Sequence, residues 1–146
     1  MNLRDVETSF LKLKTYCEKE NFAGWDPYDG LNSKVFKALP FIGRSAVARL
    51  AWIQLFKRNP FNLRRLLLVP KGHNAKAIGL FLHGYCNLNR MGSPLAANSE
   101  KRINELGELL ISLSATGFSG AAWGYNFPWQ CRREFLFPAG EPTVVA

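Results

Sequence analysis

NSEKRINELGELLISLSATG, residues 98–117, decides the class of fold. Ile103, Leu106, Leu110 and Leu113 recur at i, i+3, i+7 and i+10, which sets four apolar side chains along one side of a 3.6-residue helix. Asn98 or Ser99 stands where an N-cap belongs, and Thr116-Gly117 supplies the expected stop. Residues 2–20 repeat the device. Leu3, Val6, Phe10, Leu13 and Cys17 share a face, Asn2 can cap, and Asp5 sits where a carboxylate favours the helix dipole.

Between these two helices the same reading continues. Gly43–Arg58 predicts a helix stopped by Asn59-Pro60, and its apolar residues Val47, Leu50, Ala51, Ile53, Leu55 and Phe56 cover enough of its girth to expect burial between neighbours. Lys76–Leu88 predicts a mostly buried helix carrying Ile78, Phe81, Leu82 and Tyr85, with Gly79 and Gly84 offering close helix packing. Leu31–Leu39 fits a short helix ended by Pro40. Phe61–Val69 fits either a short helix or a strand. Residues 22–30 and 89–97 are turn-rich connectors, and helical periodicity ends at Phe118. With no strong alternating pattern, the expectation is an all-α protein of antiparallel helical hairpins, one domain over residues 1–146. The apolar end Thr143-Val-Val-Ala146 reads as a cut through a longer protein or a naturally truncated copy of one.

The 146 residues are 47% hydrophobic and 13% aromatic, enough to bury a core and unlike a disordered or collagenous chain. Nineteen Lys and Arg against eleven Asp and Glu give a net charge of +8. The excess is concentrated: from residue 30 to 99 there are eleven cations and no anion. Such a field attracts acidic glycans, anionic lipids, phosphate backbones or an acidic protein. Cys17, Cys86 and Cys131 are far apart and form no CxxC pair, so they read as buried, reduced thiols. The longest uncharged run, Leu109–Cys131, is broken by three glycines and Pro128 and is no membrane span. The start of the chain lacks the apolar stretch of a signal peptide, so a cytoplasmic protein is expected, at most peripheral to the inner membrane face.

The catalytic vocabulary is thin. His73 in a turn reads as exposed and His83 in an apolar helix as a satisfied interior residue; no spacing pairs them on a metal. Ser119 lacks the second glycine of a nucleophile elbow, and no phosphate loop is present, so neither metal nor cofactor is expected. Two connectors are denser. Trp25, Asp26, Tyr28 and Asp29 place two carboxylates among rings that can stack on sugars, although Asp before Pro and before Gly is also ordinary turn chemistry. Trp123, Tyr125, Asn126, Phe127, Trp129, Gln130 and Arg132 interleave rings, amides and a guanidinium, which suits a carbohydrate or nucleotide platform or a plug for the end of a bundle. If Asp26 or Asp29 were catalytic, a second carboxylate would be needed, with Glu134 and Glu141 the nearest to the second connector in sequence.

The segments Gly24-Trp-Asp-Pro-Tyr-Asp-Gly-Leu-Asn32, Arg49–Arg58, Asn62-Leu-Arg64 and Trp123-Gly-Tyr-Asn-Phe-Pro-Trp-Gln130 together resemble a bacterial α/α-toroid family. It is similar in architecture to six-hairpin glycosidases and terpenoid cyclases, and it occurs with genes for surface-polysaccharide biosynthesis. The resemblance implies a partial toroid with long aromatic loops, the N-terminal part of a family member. It implies a glycan-binding or glycan-modifying role, with a carbohydrate or lipid-linked glycan precursor as partner. It carries over no catalytic residue, and Pro128 stands where the family pattern has an acidic residue before the Trp. The competing expectation is a non-catalytic scaffold that meets an anionic membrane or acidic partner through residues 30–99. A nucleic-acid partner is disfavoured because no helix-turn-helix, finger or RNA-recognition signature appears.

Overall fold

The computed structural model describes residues 2–131 and 135–143, apart from the side chain of Leu3. In chain order the elements are α1 (Leu3–Lys19), α2 (Lys34–Lys37), α3 (Pro40–Arg44), α4 (Ala46–Arg58), α5 (Ala75–Arg90), α6 (Ser99–Ser112), β1 (Trp129–Gln130) and β2 (Leu136–Phe137). Single 3-10 turns occupy Asp29–Asn32 and Pro94–Ala96. The protein is mostly helical, as the periodicities predict. The chain gathers into two compact units: Met1–Gly24 with His73–Leu113, and Trp25–Gly72 with Ser114–Ala146.

The first unit is built on the α5–α6 hairpin. Ile78, Tyr85 and Leu106 are buried at its centre, with Phe81, Leu82, Ile103, Leu109, Leu110 and Leu113 packed around them. Phe22, just past α1, adds its ring to Phe81 at 5.2 Å and to Tyr85 at 6.1 Å. The Tyr85 hydroxyl donates to Glu18 at 2.7 Å, and Arg102 of α6 lies 3.4 Å from the same carboxylate oxygen. Burial works to raise the Glu18 carboxyl, but the Tyr85 hydroxyl with Lys14 and Arg102 outweighs it and holds Glu18 below the ordinary range.

Several expectations change here. On α1, Asn2 caps by accepting from the Arg4 N–H, yet the apolar stripe is only partly covered: Phe10 and Cys17 are half-buried, while Val6 and Leu13 are exposed. Helix α5 is amphipathic rather than mostly buried, because residues on its far side, Leu80, His83 and Cys86, face solvent. His83 is therefore no interior histidine, whereas His73 is half-buried with Nε2 2.8 Å from the Asn21 carbonyl. Gly79 and Gly84 have open space where a side chain would stand, so they do not serve close packing. Asn98 precedes α6 in a left-handed conformation (φ 64°) and its side chain makes no capping bond. The helix ends at Ser112 with Leu113 as C-cap; Gly117, at φ 89°, falls beyond it. None of the cysteines is fully buried: Cys17 and Cys131 are half-buried and Cys86 is exposed.

The second unit packs around Leu31, Phe36 and Ile53, with Ile42 and Trp52 against them. Ser33 divides the expected Leu31–Leu39 helix in two. Its hydroxyl accepts the Phe36 N–H as the cap of α2 and donates to the Leu67 carbonyl at 2.6 Å. Gly30 lets the Phe56 ring approach to 3.1 Å of where a Cβ would be. Helix α4 buries Ile53 and Phe56, while Val47, Ala51 and Leu55 are exposed, so it is covered on one side only. Residues 63–68 form consecutive turns, neither helix nor strand, with Leu68 left-handed at φ 52°. Beyond Phe118, where helical periodicity ends, the chain contributes β2, antiparallel to β1 with Trp129 opposite Phe137 and Gln130 opposite Leu136. A two-residue strand is too short for alternation to reveal it. The apolar end at 144–146 lies outside the described residues.

Candidate functional site

The first connector is held by a buried ion pair. Asp29 is only 2% exposed, and the Arg64 guanidinium meets both its carboxylate oxygens, Nε lying 3.0 Å from Oδ1 and 3.3 Å from Oδ2. Arg64 Nη2 also donates to the Asp26 carbonyl at 2.8 Å, and the Asp26 N–H donates to Asp29 Oδ2 at 3.0 Å. Burial pushes the Asp29 carboxyl above the ordinary range, while Arg64 and the Asp26 N–H pull against it. Asp26 Oδ1 accepts the Tyr28 N–H at 2.9 Å, an Asx-turn. Both aspartates thus hold the connector in shape. Trp25 is half-buried; its indole N–H donates to the Val69 carbonyl at 2.9 Å, and the Lys71 ammonium lies 5.0 Å from its ring centre.

The second connector runs beside the chain that follows it. Gly124 bridges Pro142, and no side chain fits at 124 because the backbone of residues 140 and 141 fills that space. The Gly140 N–H donates to the Tyr125 carbonyl at 2.8 Å. The rings are ordered by this pairing. Trp129 stacks on Phe137 at 4.7 Å, Tyr125 stacks on the fully buried Phe127 at 5.1 Å, and Tyr125 meets Trp129 edge-on at 5.9 Å. Gln130 is buried with its amide committed to α4: Oε1 accepts from Arg49 Nε, and Nε2 donates to the Ala46 carbonyl at 3.1 Å. Trp123 is half-buried, with its carbonyl accepting the Thr143 N–H. The Asn126 amide lies against Gly72, where any side chain at 72 would collide with it. Arg132 and Glu134 lie outside the described residues.

The two connectors meet at one cavity of about 320 Å³, within the second unit. Tyr28 comes from the first connector, and Tyr125, Trp129 and Gln130 from the second. Helix α4 supplies the remaining wall with Leu50, Ile53, Gln54 and Lys57, and Cys131 completes it. Trp25, Asp26, Asp29, Trp123 and Asn126 are not among the lining residues. The α4 contribution was overlooked in the sequence, yet it has a signal: positions 50, 53, 54 and 57 are one helical face that changes from aliphatic to polar.

The chemistry of the lining is that of a binding site. Three aromatic side chains offer π-faces and edges, and Gln54 offers an amide. The exposed Lys57 ammonium donates to the Tyr28 hydroxyl at 2.7 Å. Burial, then the Asp26 charge and Tyr28, raise the Tyr125 phenol, which stays protonated as a hydrogen-bond donor at neutral pH. The Trp129 indole N–H is buried and has no acceptor among the described residues. Among the described residues no carboxylate lines the cavity, and no group of three His, Cys, Asp or Glu could hold a metal. Comparison of the chain with family models, with curated proteins and with solved structures found no match.

Proposed function

We propose that this chain binds a carbohydrate, a surface glycan or its lipid-linked precursor, in the cavity between α4 and the two aromatic connectors. The observation that supports this reading is the convergence of Tyr28, Tyr125 and Trp129 on one cavity of about 320 Å³. That volume falls at the lower end of the range for small-ligand sites, about 300–1,000 Å³. Rings take the apolar faces of sugars, while the Tyr hydroxyls, Gln54 and Lys57 meet their polar edges. Lys57, in a unit with a large cationic excess, favours a glycan bearing carboxylates.

The reading is of binding rather than bond cleavage. Glycoside hydrolysis uses two carboxyl groups across the scissile bond. Asp26 and Asp29 are engaged in the connector instead, Asp29 on Arg64. The α5–α6 hairpin and the resemblance of the aromatic segments support the wider proposal, that these helices belong to a partial α/α toroid acting in surface-polysaccharide biosynthesis at the cytoplasmic face of a bacterial membrane. No helix among the described residues is long and apolar enough to cross a membrane.

Titration of the folded chain with neutral and uronate-bearing oligosaccharides, read by tryptophan fluorescence and calorimetry, tests the proposal. Uronate-bearing glycans are expected to bind more tightly than neutral ones. Tyr28→Ala and Trp129→Ala should each weaken binding at least tenfold, Tyr28→Ala with an unchanged melting temperature because that side chain is exposed. A folded wild-type chain that binds no glycan in either class overturns the reading.

A further inference from the structure

We propose that the end of α4 and the turn following it, residues 58–68, together with the adjoining α2, are a docking surface for an anionic lipid bilayer. The turn exposes three large apolar side chains within eight residues: Phe61 and Leu66 at 75% each and Leu68 at 55%. Large apolar side chains gathered into one patch mark an interaction surface, and these three share a single turn of chain. Arg65, between Phe61 and Leu66, and Arg58, at the end of α4, are exposed. Two hydrogen bonds fasten the turn to the start of α2, from the Ser33 hydroxyl to the Leu67 carbonyl at 2.6 Å and from the Lys34 N–H to the Leu68 carbonyl at 3.3 Å. They bring the exposed Lys34 and Lys37, one turn apart on α2, beside the leucines. No carboxylate pairs with any of these four cations among the described residues.

The turn is held in this form rather than loosely draped. Leu68 adopts a left-handed backbone, uncommon for a bulky residue, while the Val69 N–H closes on the Arg64 carbonyl at 2.8 Å. The result shows Leu66 and Leu68 to solvent and leaves Leu67 half-buried. The partner follows from charge and shape together. Eleven of the nineteen cations but only four of the eleven acidic residues fall in the second unit, which therefore carries seven of the eight net positive charges. An anionic bilayer accepts both features, cations at its headgroups and apolar tips in its interface. Nucleic acid would use the cations but prefers flat rings for stacking, and two of the three apolar tips are leucines. This proposal stands independently of the carbohydrate reading.

Co-sedimentation of the full chain with vesicles tests it, comparing phosphatidylcholine alone with three parts phosphatidylcholine to one part phosphatidylglycerol. Binding is expected only to the mixed vesicles and should fall as salt is raised. The pair Lys34→Ala and Lys37→Ala should weaken it by about 25-fold, at about fivefold per cation. Phe61→Ser with Leu66→Ser should weaken it while leaving the melting temperature in place, since both side chains are exposed. Equal binding to neutral vesicles, variants that bind like the wild type, or no vesicle binding by the folded chain each overturn the proposal. So does salt-sensitive binding to single-stranded RNA in place of vesicles, and so does self-association that Phe61→Ser and Leu66→Ser abolish.

Discussion

At the scale of single residues, the strongest commitments are buried charges with named partners. Arg64→Ala would leave Asp29 buried without its guanidinium, and the expected cost is on the order of 3–5 kcal/mol by chemical denaturation, with Arg64→Met/Asp29→Leu recovering part of it. Glu18 gives a pH dependence. Its carboxyl is held below the unfolded value, so its stabilising contribution is complete above the ordinary carboxylate range and is lost as pH falls toward the lowered folded value. Melting temperature should therefore drop in the wild type as pH falls below the ordinary carboxylate range, and Glu18→Gln should flatten that drop. The roles of the two aspartates were half legible in the sequence. Asp26-Pro27 and Asp29-Gly30 announce turn chemistry, and the structure shows that chemistry. What the sequence did not reveal is Arg64, thirty-five positions away, because no local pattern encodes a long-range ion pair.

At the scale of elements, the glycines separate two kinds of position. Gly79 and Gly84 lie within α5 with open space about them, so Gly79→Ala and Gly84→Ala should each stabilise the protein by about 0.5–1 kcal/mol in thermal melts. Gly124→Ala should do the opposite, because a methyl group there meets the backbone of residues 140 and 141 and would force apart the pairing with Pro142. Helices were legible because their apolar residues recur at helical spacing over three or four turns, as in α1 and α6. How far each helix is covered was less legible. Periodicity counts apolar residues, but Val47, Leu55 and Leu80 are apolar and exposed. The short strands escaped because two residues carry no period, and residues 61–69 misled because a run of leucines fits several backbones.

At the scale of the whole molecule, the chain's path matters more than any one element. Each compact unit is assembled from two separated stretches, Met1–Gly24 with His73–Leu113 and Trp25–Gly72 with Ser114–Ala146. The cavity joins residues from Tyr28 to Cys131, and the bond from Arg49 to Gln130 spans 81 positions. Sequence reading placed Tyr28, Tyr125, Trp129 and Gln130 as candidates by residue type, but their meeting on one face of α4 depends on this distant closure. The interleaving has an outcome during synthesis. While the protein is made, the first unit holds both its pieces once Leu113 has emerged, whereas the ring-lined wall must wait for Tyr125, Trp129 and Gln130 to leave the ribosome. A chain released after residue 113 should keep the helical far-ultraviolet signature and amide protection of α5 and α6 by NMR hydrogen exchange, yet lack the Tyr125 and Trp129 side of the cavity beside α4. The nascent polypeptide would thus present its Leu50, Ile53, Gln54 and Lys57 face without that wall until Cys131 has emerged, the interval in which a chaperone would find it.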